Sequence, residues 1–199
     1  MSNNRIKHLY SLLAAWVLLA APLAAEIEHV IVTWSGLQCQ QSCINQLTAQ
    51  FKSIPGVAEV SMGPGQVTLK WKPNVSFSFA PINTAMSLIG LSINDIRVKA
   101  TGTITHNSYA VTLISSGDNT RFDLLNPVVP DIRDNRQAPQ FNIGARGLRP
   151  ELKQQLLQAE SEGKIATISG PLLMPERSPP LSLVVDQLSF KDAPNTQSR

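Results

Sequence analysis

WSGLQCQQSCINQLTAQFKSIPGV, Trp34–Val57, is the stretch on which the fold of this chain turns. Ile44, Leu47, Phe51 and Ile54 recur at spacings of three, four and three, which lays one apolar stripe along a helix. Pro55-Gly56 stops that helix, because proline lacks the N–H that the ladder needs and glycine takes the turn. Cys39 and Cys43, the chain's two cysteines, stand just ahead of the stripe. Unpaired amides at a helix start favour the thiolate, the form that binds soft metals or attacks disulfides. The rest of the sequence offers no rival cluster of ligands or nucleophiles.

Upstream, Ile27, Val30, Ile31 and Val32 mark a strand. Downstream, Val57–Met62 and Gln66–Trp71 are β-prone runs on either side of Gly63-Pro64-Gly65, a hairpin signature. A second helix is expected from Phe79 to Ile89, with Ser78 as its cap, Ile82, Ala85, Met86 and Ile89 on one face, and Gly90 at its end. A strand from Leu91 to Lys99 completes this half. The order strand, helix, strand, strand, helix, strand is the split βαβ pattern of a ferredoxin-like sandwich, in which two helices cover one face of a four-stranded antiparallel sheet.

Gly36-Leu37-Gln38-Cys39, then Cys43, then Ile54-Pro55-Gly56-Val57 resemble the heavy-metal-associated domain of copper chaperones, copper-pumping ATPases and periplasmic mercury-binding proteins. That family carries Gly-Met-Thr/Ser-Cys-x-x-Cys, a helix ending in Leu-Pro-Gly-Val, and a later glycine that closes the second helix. Counted back from Pro55-Gly56-Val57, Cys43 takes the place of the second cysteine, and Gly90 matches the later glycine. The chain departs from the pattern in having three residues between its cysteines, and Leu37 and Gln38 at the Met and Thr/Ser positions. The resemblance covers residues 26–100. It implies that Cys39 and Cys43, when reduced, hold Cu(I) or a similar soft ion and pass it to a protein partner docked on the same loop.

Soft-ion chemistry suits two sulfurs, since Cu(I) and Hg(II) both accept a pair of thiolates, whereas Zn(II) wants four ligands and no histidine lies between the cysteines. His29 and His106 read as surface residues, Met86 as core filling and Met62 as the end of a strand. The opposing expectation is a structural disulfide between Cys39 and Cys43, the default for a lone cysteine pair in an oxidising compartment. Thiol redox activity is the third, although the spacing and element order differ from the Cys-x-x-Cys of thioredoxin-like enzymes. No nucleophile elbow or recognisable triad points to a hydrolase, so the chain reads as non-enzymatic.

The compartment follows from the first residues. Arg5 and Lys7 precede an apolar run from Leu9 to Ala21, and Pro22-Leu23-Ala24-Ala25 offers a small-residue cleavage site. Residues 1–25 therefore read as a signal peptide, and the product as periplasmic or secreted. An uncleaved anchor is the alternative and the sole route to a membrane, because Leu9–Ala25 sits at the lower edge of what spans a bilayer. Without that segment the chain holds 15 Lys+Arg against 14 Asp+Glu, a balance that gives no support for nucleic-acid binding.

Beyond residue 100 the pattern changes. A strand over Val98–Ile104, strands at Tyr109–Ile114 and Arg121–Leu125, a helix from Pro150 to Glu162, and strands at Ile165–Gly170 and Leu181–Phe190 resemble a small OB-like β-barrel, with its helix between the third and fourth strands. The expected fold class is therefore α+β, a sandwich over 26–100 followed by a barrel over 101–190. Such a barrel would bind an oligosaccharide, peptide or protein through its loops. Trp34, Trp71 and Tyr109 read as core or rim aromatics. The connection 126–148 is long for a compact domain and holds Arg133, Arg136 and Arg146 against Asp131 and Asp134, with Arg149 just beyond, a set suited to an acidic partner or to a solvated loop. Residues 191–199 read as a disordered tail.

Overall fold

Val30 and Val32 alternate with Ile31 and Thr33 along the first strand, and only the valines are fully buried. The computed structural model describes residues 27–35, 41–127 and 147–193. The segment read as a signal, Cys39 with its loop neighbours, most of the 126–148 connection and the tail from residue 194 lie outside these.

Strand β1 (Ile27–Ser35) is followed by helix α1 (Gln41–Ser53), hairpin strands β2 (Val57–Gly63) and β3 (Gln66–Trp71), helix α2 (Phe79–Ser87) and the long strand β4 (Ser92–His106). The four strands lie side by side as β2-β3-β1-β4, every pair antiparallel. Both helices cover one face, where Leu47, Phe51, Ile82 and Met86 are buried together with Val30, Val32, Val67 and Leu69. The hairpin turns on Pro64-Gly65, with Gly65 at φ +67, the type II arrangement that proline followed by glycine favours. Gly56 has a different task. A Cβ there would lie 2.2 Å from the Trp71 ring, so the indole packs directly on the bare backbone after α1. Trp71 Nε1 donates to the Val75 carbonyl at 2.7 Å, and its ring meets Phe77 at 5.3 Å between centroids.

Helix α2 ends at Ser87, short of Ile89, because the chain reverses through Gly90 at φ +75 while the Leu91 N–H reaches back to the Met86 carbonyl at 3.0 Å. Ser78 occupies the N-cap position, but its side chain makes no capping hydrogen bond.

The strands expected at Leu91–Lys99 and Val98–Ile104 are one. Strand β4 pairs with β1 as far as Ala100 and with β5 (Val111–Ser115) from Gly102 onward, so one continuous sheet runs from the first half into the second without a break. Gly102 permits the handover: a Cβ there would lie 2.0 Å from the Ile114 carbonyl oxygen. With β6 (Arg121–Leu125), β7 (Ile165–Leu173) and β8 (Leu181–Val184), β4 and β5 close a five-strand barrel in the order β4-β5-β6-β8-β7 and back to β4. All pairs are antiparallel except β6 with β8. Helix α3 (Pro150–Ser161) joins β6 to β7 and buries Leu156 and Ala159. The described residues are thus α+β, with three helices and a five-strand barrel.

The strand expected over Leu181–Phe190 is split. Val185 and Asp186 bulge out of it, their N–H groups donating to the carbonyls of Leu125 at 2.9 Å and Ser169 at 3.1 Å, and β9 (Gln187–Lys191) resumes the pairing with β7. Gly170 makes room, since a Cβ there would lie 1.8 Å from the Val184 carbonyl oxygen. One hydrophobic cluster runs through both halves of the molecule. Polar ties join them as well: Arg97 pairs with Asp186, Ser76 Oγ donates to the Asp118 carbonyl at 3.2 Å, and the Phe77 N–H donates to Thr120 Oγ1 at 3.2 Å.

Candidate functional site

Two regions carry residues with functional potential. The first is the end of the sandwich where β1 leads to α1. Cys43 is the third residue of α1, half-buried and packed against the core. Leu47 and Phe51 follow it at one and two helical turns, so Cys43 extends the same buried stripe. It is disulfide-bonded. The sequence contains one other cysteine, Cys39, which lies outside the described residues. A disulfide sulfur is not a thiolate, so the soft-ion site implied by the resemblance belongs to the reduced form of the pair. Among the described residues, no group of three or more His, Cys, Asp and Glu is placed to hold a metal ion.

The other residues weighed as ligands are scattered. His29 lies within β1, exposed on the face away from the helices. His106 ends β4 and is hydrogen-bonded through Nδ1 to Glu160 Oε2 on α3. Met86 is fully buried in α2, and Met62 is half-buried near the end of β2. Trp34 is half-buried against the core, its N–H donating to the Gly65 carbonyl at 3.2 Å. Next to it, Ser35 Oγ donates to Asn94 Oδ1 at 2.6 Å, tying the end of β1 to the start of β4.

The second region is the outer face of the barrel at the β4–β5 turn. Asn107 builds this turn: its side-chain Oδ1 accepts from the N–H groups of Tyr109 at 2.8 Å and Ala110 at 2.9 Å, and its own N–H donates to the Ala110 carbonyl at 3.0 Å. The clamp turns Tyr109 outward, where it is 98% exposed. Tyr109 is therefore not a core residue, and β5 begins at Val111, two residues later than the sequence pattern suggests. Two cavities of about 430 Å³ each share Tyr109 as a wall. One runs over Thr105, Thr112, Arg121 and Pro180; the other over Leu125, Leu148, Lys153 and Ser182. Within the first, Thr112 Oγ1 donates to Asp123 Oδ1 at 2.9 Å across the β5–β6 pair.

No family model, no curated protein and no solved structure matches this chain. The site must therefore be judged on its own geometry. An exposed aromatic ring on a clamped turn beside two grooves, with hydroxyl, carboxylate and guanidinium groups within one of them, can combine apolar contact with directed hydrogen bonds. The sequence held one signal for this arrangement, Asn107-Ser108 between two strand-like runs, a pairing that favours a side-chain-closed turn. Arg149, the described member of the arginine set near the long connection, donates from Nε to Asn126 Oδ1 at 3.1 Å and so bridges the two ends of that connection. Arg133, Arg136 and Arg146 lie outside the described residues.

Proposed function

We propose that the chain is an exported, non-catalytic binding protein in which a ferredoxin-like module of the heavy-metal-associated kind carries an OB-like barrel, and the barrel docks a protein partner around Tyr109. The strand order β2-β3-β1-β4 with both helices on one face supports the first assignment. The order β4-β5-β6-β8-β7 with α3 between the third and fourth barrel strands supports the second. In this reading the cysteine pair is a staple that fixes the loop between β1 and α1.

The observation that carries the proposal is Tyr109, 98% exposed at the tip of a turn that Asn107 locks. Tyrosine is enriched where one protein meets another, because its ring gives apolar area at small entropic cost and its hydroxyl finds a partner at the rim. The test replaces Tyr109 with a photoreactive phenylalanine analogue in the exported protein. A single discrete adduct, weakened when Arg121→Glu changes the neighbouring groove, supports docking here. Adducts no stronger than those from the same analogue at Lys70, on the open face of the first sheet, would overturn it.

A further inference from the structure

Among the described residues nine strands join in one sheet, and its two ends are β2 and β9. β9 pairs with β7 alone, from Gln187 opposite Ser169 to Lys191 opposite Ile165, so its other edge carries unpaired backbone N–H and C=O groups. Such an edge is a template for one more strand. β2 is the poorer template, because its register breaks between Val57 and Glu59, whereas β9 runs without a break.

The space beside β9 is open as well. A cavity of about 850 Å³ lies between β9 and α3, walled by Leu152, Gln155 and Ala159 of the helix and by Val185, Leu188 and Phe190 on the strand side. Leu188 and Phe190 alternate along the strand onto this one face, where Leu188 is half-buried and Phe190 is left 36% exposed. A strand added to the free edge would set its own alternate side chains on the same face, next to Phe190 and beside α3.

We propose that the occupant of this edge is a second copy of the chain, paired antiparallel through β9 about a two-fold axis at Ser189. The five residues Gln187-Leu188-Ser189-Phe190-Lys191 are self-complementary about their centre. With Ser189 facing its own copy, Leu188 lies opposite Phe190 of the partner subunit and Gln187 opposite Lys191 of the partner subunit. Apolar side chains then meet each other and no like charges face across the pair. Other registers lose this match: an axis at Leu188 sets Phe190 against Asp186, and one at Phe190 sets Leu188 against Asp192. The axis stands perpendicular to the sheet, so both α3 helices lie on one side of it, with Leu188 and Phe190 of the two copies gathered beneath them. The contact is isologous and uses up the β9 edge, so it closes at two copies. It involves neither Tyr109 nor the cysteines and is independent of the docking reading.

Sedimentation equilibrium on the mature chain should show monomer and dimer exchanging with a Kd on the order of 10–100 μM, as suits so small an interface. Gln187→Glu places a carboxylate opposite Lys191 of the partner subunit twice over and should tighten the dimer about fivefold, while Gln187→Lys sets like charges there and should weaken it by a similar factor. Position 187 is exposed, so circular dichroism should show both variants folded. Ser189→Cys, oxidised in air, should give a disulfide-linked dimer across the axis, and Ser61→Cys on β2 should not. A chain that stays monomeric through the millimolar range, a dimer indifferent to both changes at Gln187, or cross-linking through Ser61→Cys in place of Ser189→Cys would overturn the proposal, the last by moving the contact to the opposite end of the sheet.

Discussion

The two ends of this molecule handle their most distinctive side chains in opposite ways. At the end of the sandwich, Cys43 is disulfide-bonded and lies on the helix stripe that Leu47 and Phe51 continue into the core. At the barrel tip, Tyr109 is lifted clear of the core by a turn built around one asparagine side chain. A residue type with rich chemistry is thus drawn into the structure, and one with modest chemistry is displayed. What a residue can do chemically and where a molecule meets its surroundings are separate questions, and burial decides the second. The comparison also assigns costs: changes along the Cys43 stripe should register as stability, and changes at Tyr109 as binding.

The largest effect should come from the stripe. Phe51→Ala removes a fully buried ring from beneath both helices and should cost about 4 kcal/mol, read from the urea midpoint of the mature chain. Tyr109→Ala leaves no cavity and should stay within about 0.5 kcal/mol of the parent. Comparable losses for the two would break the comparison, because the tyrosine would then be supporting structure. The shape of the Phe51→Ala transition sharpens it further. Since β4 pairs with both β1 and β5 in one continuous sheet and one hydrophobic cluster spans both halves, the two should unfold together in a single transition.

The helix stripe was legible because a period of 3.6 leaves its mark in composition, and the hairpin because Pro64-Gly65 is a turn signature. The continuity of β4 was not. Thr101-Gly102-Thr103 has the look of punctuation, yet Gly102 is there because the Ile114 carbonyl oxygen of the neighbouring strand β5 approaches it closely. Nor was the bulge at Val185-Asp186 legible, since what produces it is pairing with Leu125 and Ser169, and no local glycine or proline announces it. Of the candidate site, Cys43 was found from its residue type and its role left open among soft-ion binding, a structural disulfide and thiol redox activity. Tyr109 was taken for an ordinary strand residue, because only the hydrogen bonds to Asn107 reveal where the strand begins. Local periodicity is written in the sequence; contacts made across more than 80 residues, like that between Arg97 and Asp186, are not.

An intermediate effect is expected from the cysteines. A disulfide across so short a loop removes little chain entropy, so changing Cys39 and Cys43 together to serine should cost about 1–2 kcal/mol, and reductant should lower the parent by a similar amount. A Cu(I) competition titration on the reduced parent and the double-serine chain then separates staple from carrier. Capture of one equivalent by the parent alone would return the soft-ion chemistry to the pair and make the bonded state a resting form. Indifference of both chains to Cu(I) would leave the staple as the whole role of the cysteines.

The smallest effect lies at the end of α3, where Glu162 and Lys164 pair at 2.6 Å on the surface. The hydrogen bond from Lys164, helped by one from Gln158, holds the Glu162 carboxyl below its ordinary value, and the same bond raises Lys164 above its own. A lowered carboxylate contributes fully above the ordinary carboxylate range, and its share is lost as pH falls through the folded-state value. A raised ammonium contributes fully below the ordinary lysine range and loses its share as pH rises through the folded-state value. Any advantage of the parent over Glu162→Gln should therefore be confined to the window between those ranges and disappear at its acid side. Both groups lie at the surface and are screened by solvent, so the advantage should be barely resolvable in melting temperature and should vanish in high salt. A large, salt-resistant loss in Glu162→Gln would mean that this surface pair is anchoring α3 in a way its exposure does not suggest. It would also place a second structural tie on the barrel, the half of the molecule assigned here to display rather than to support.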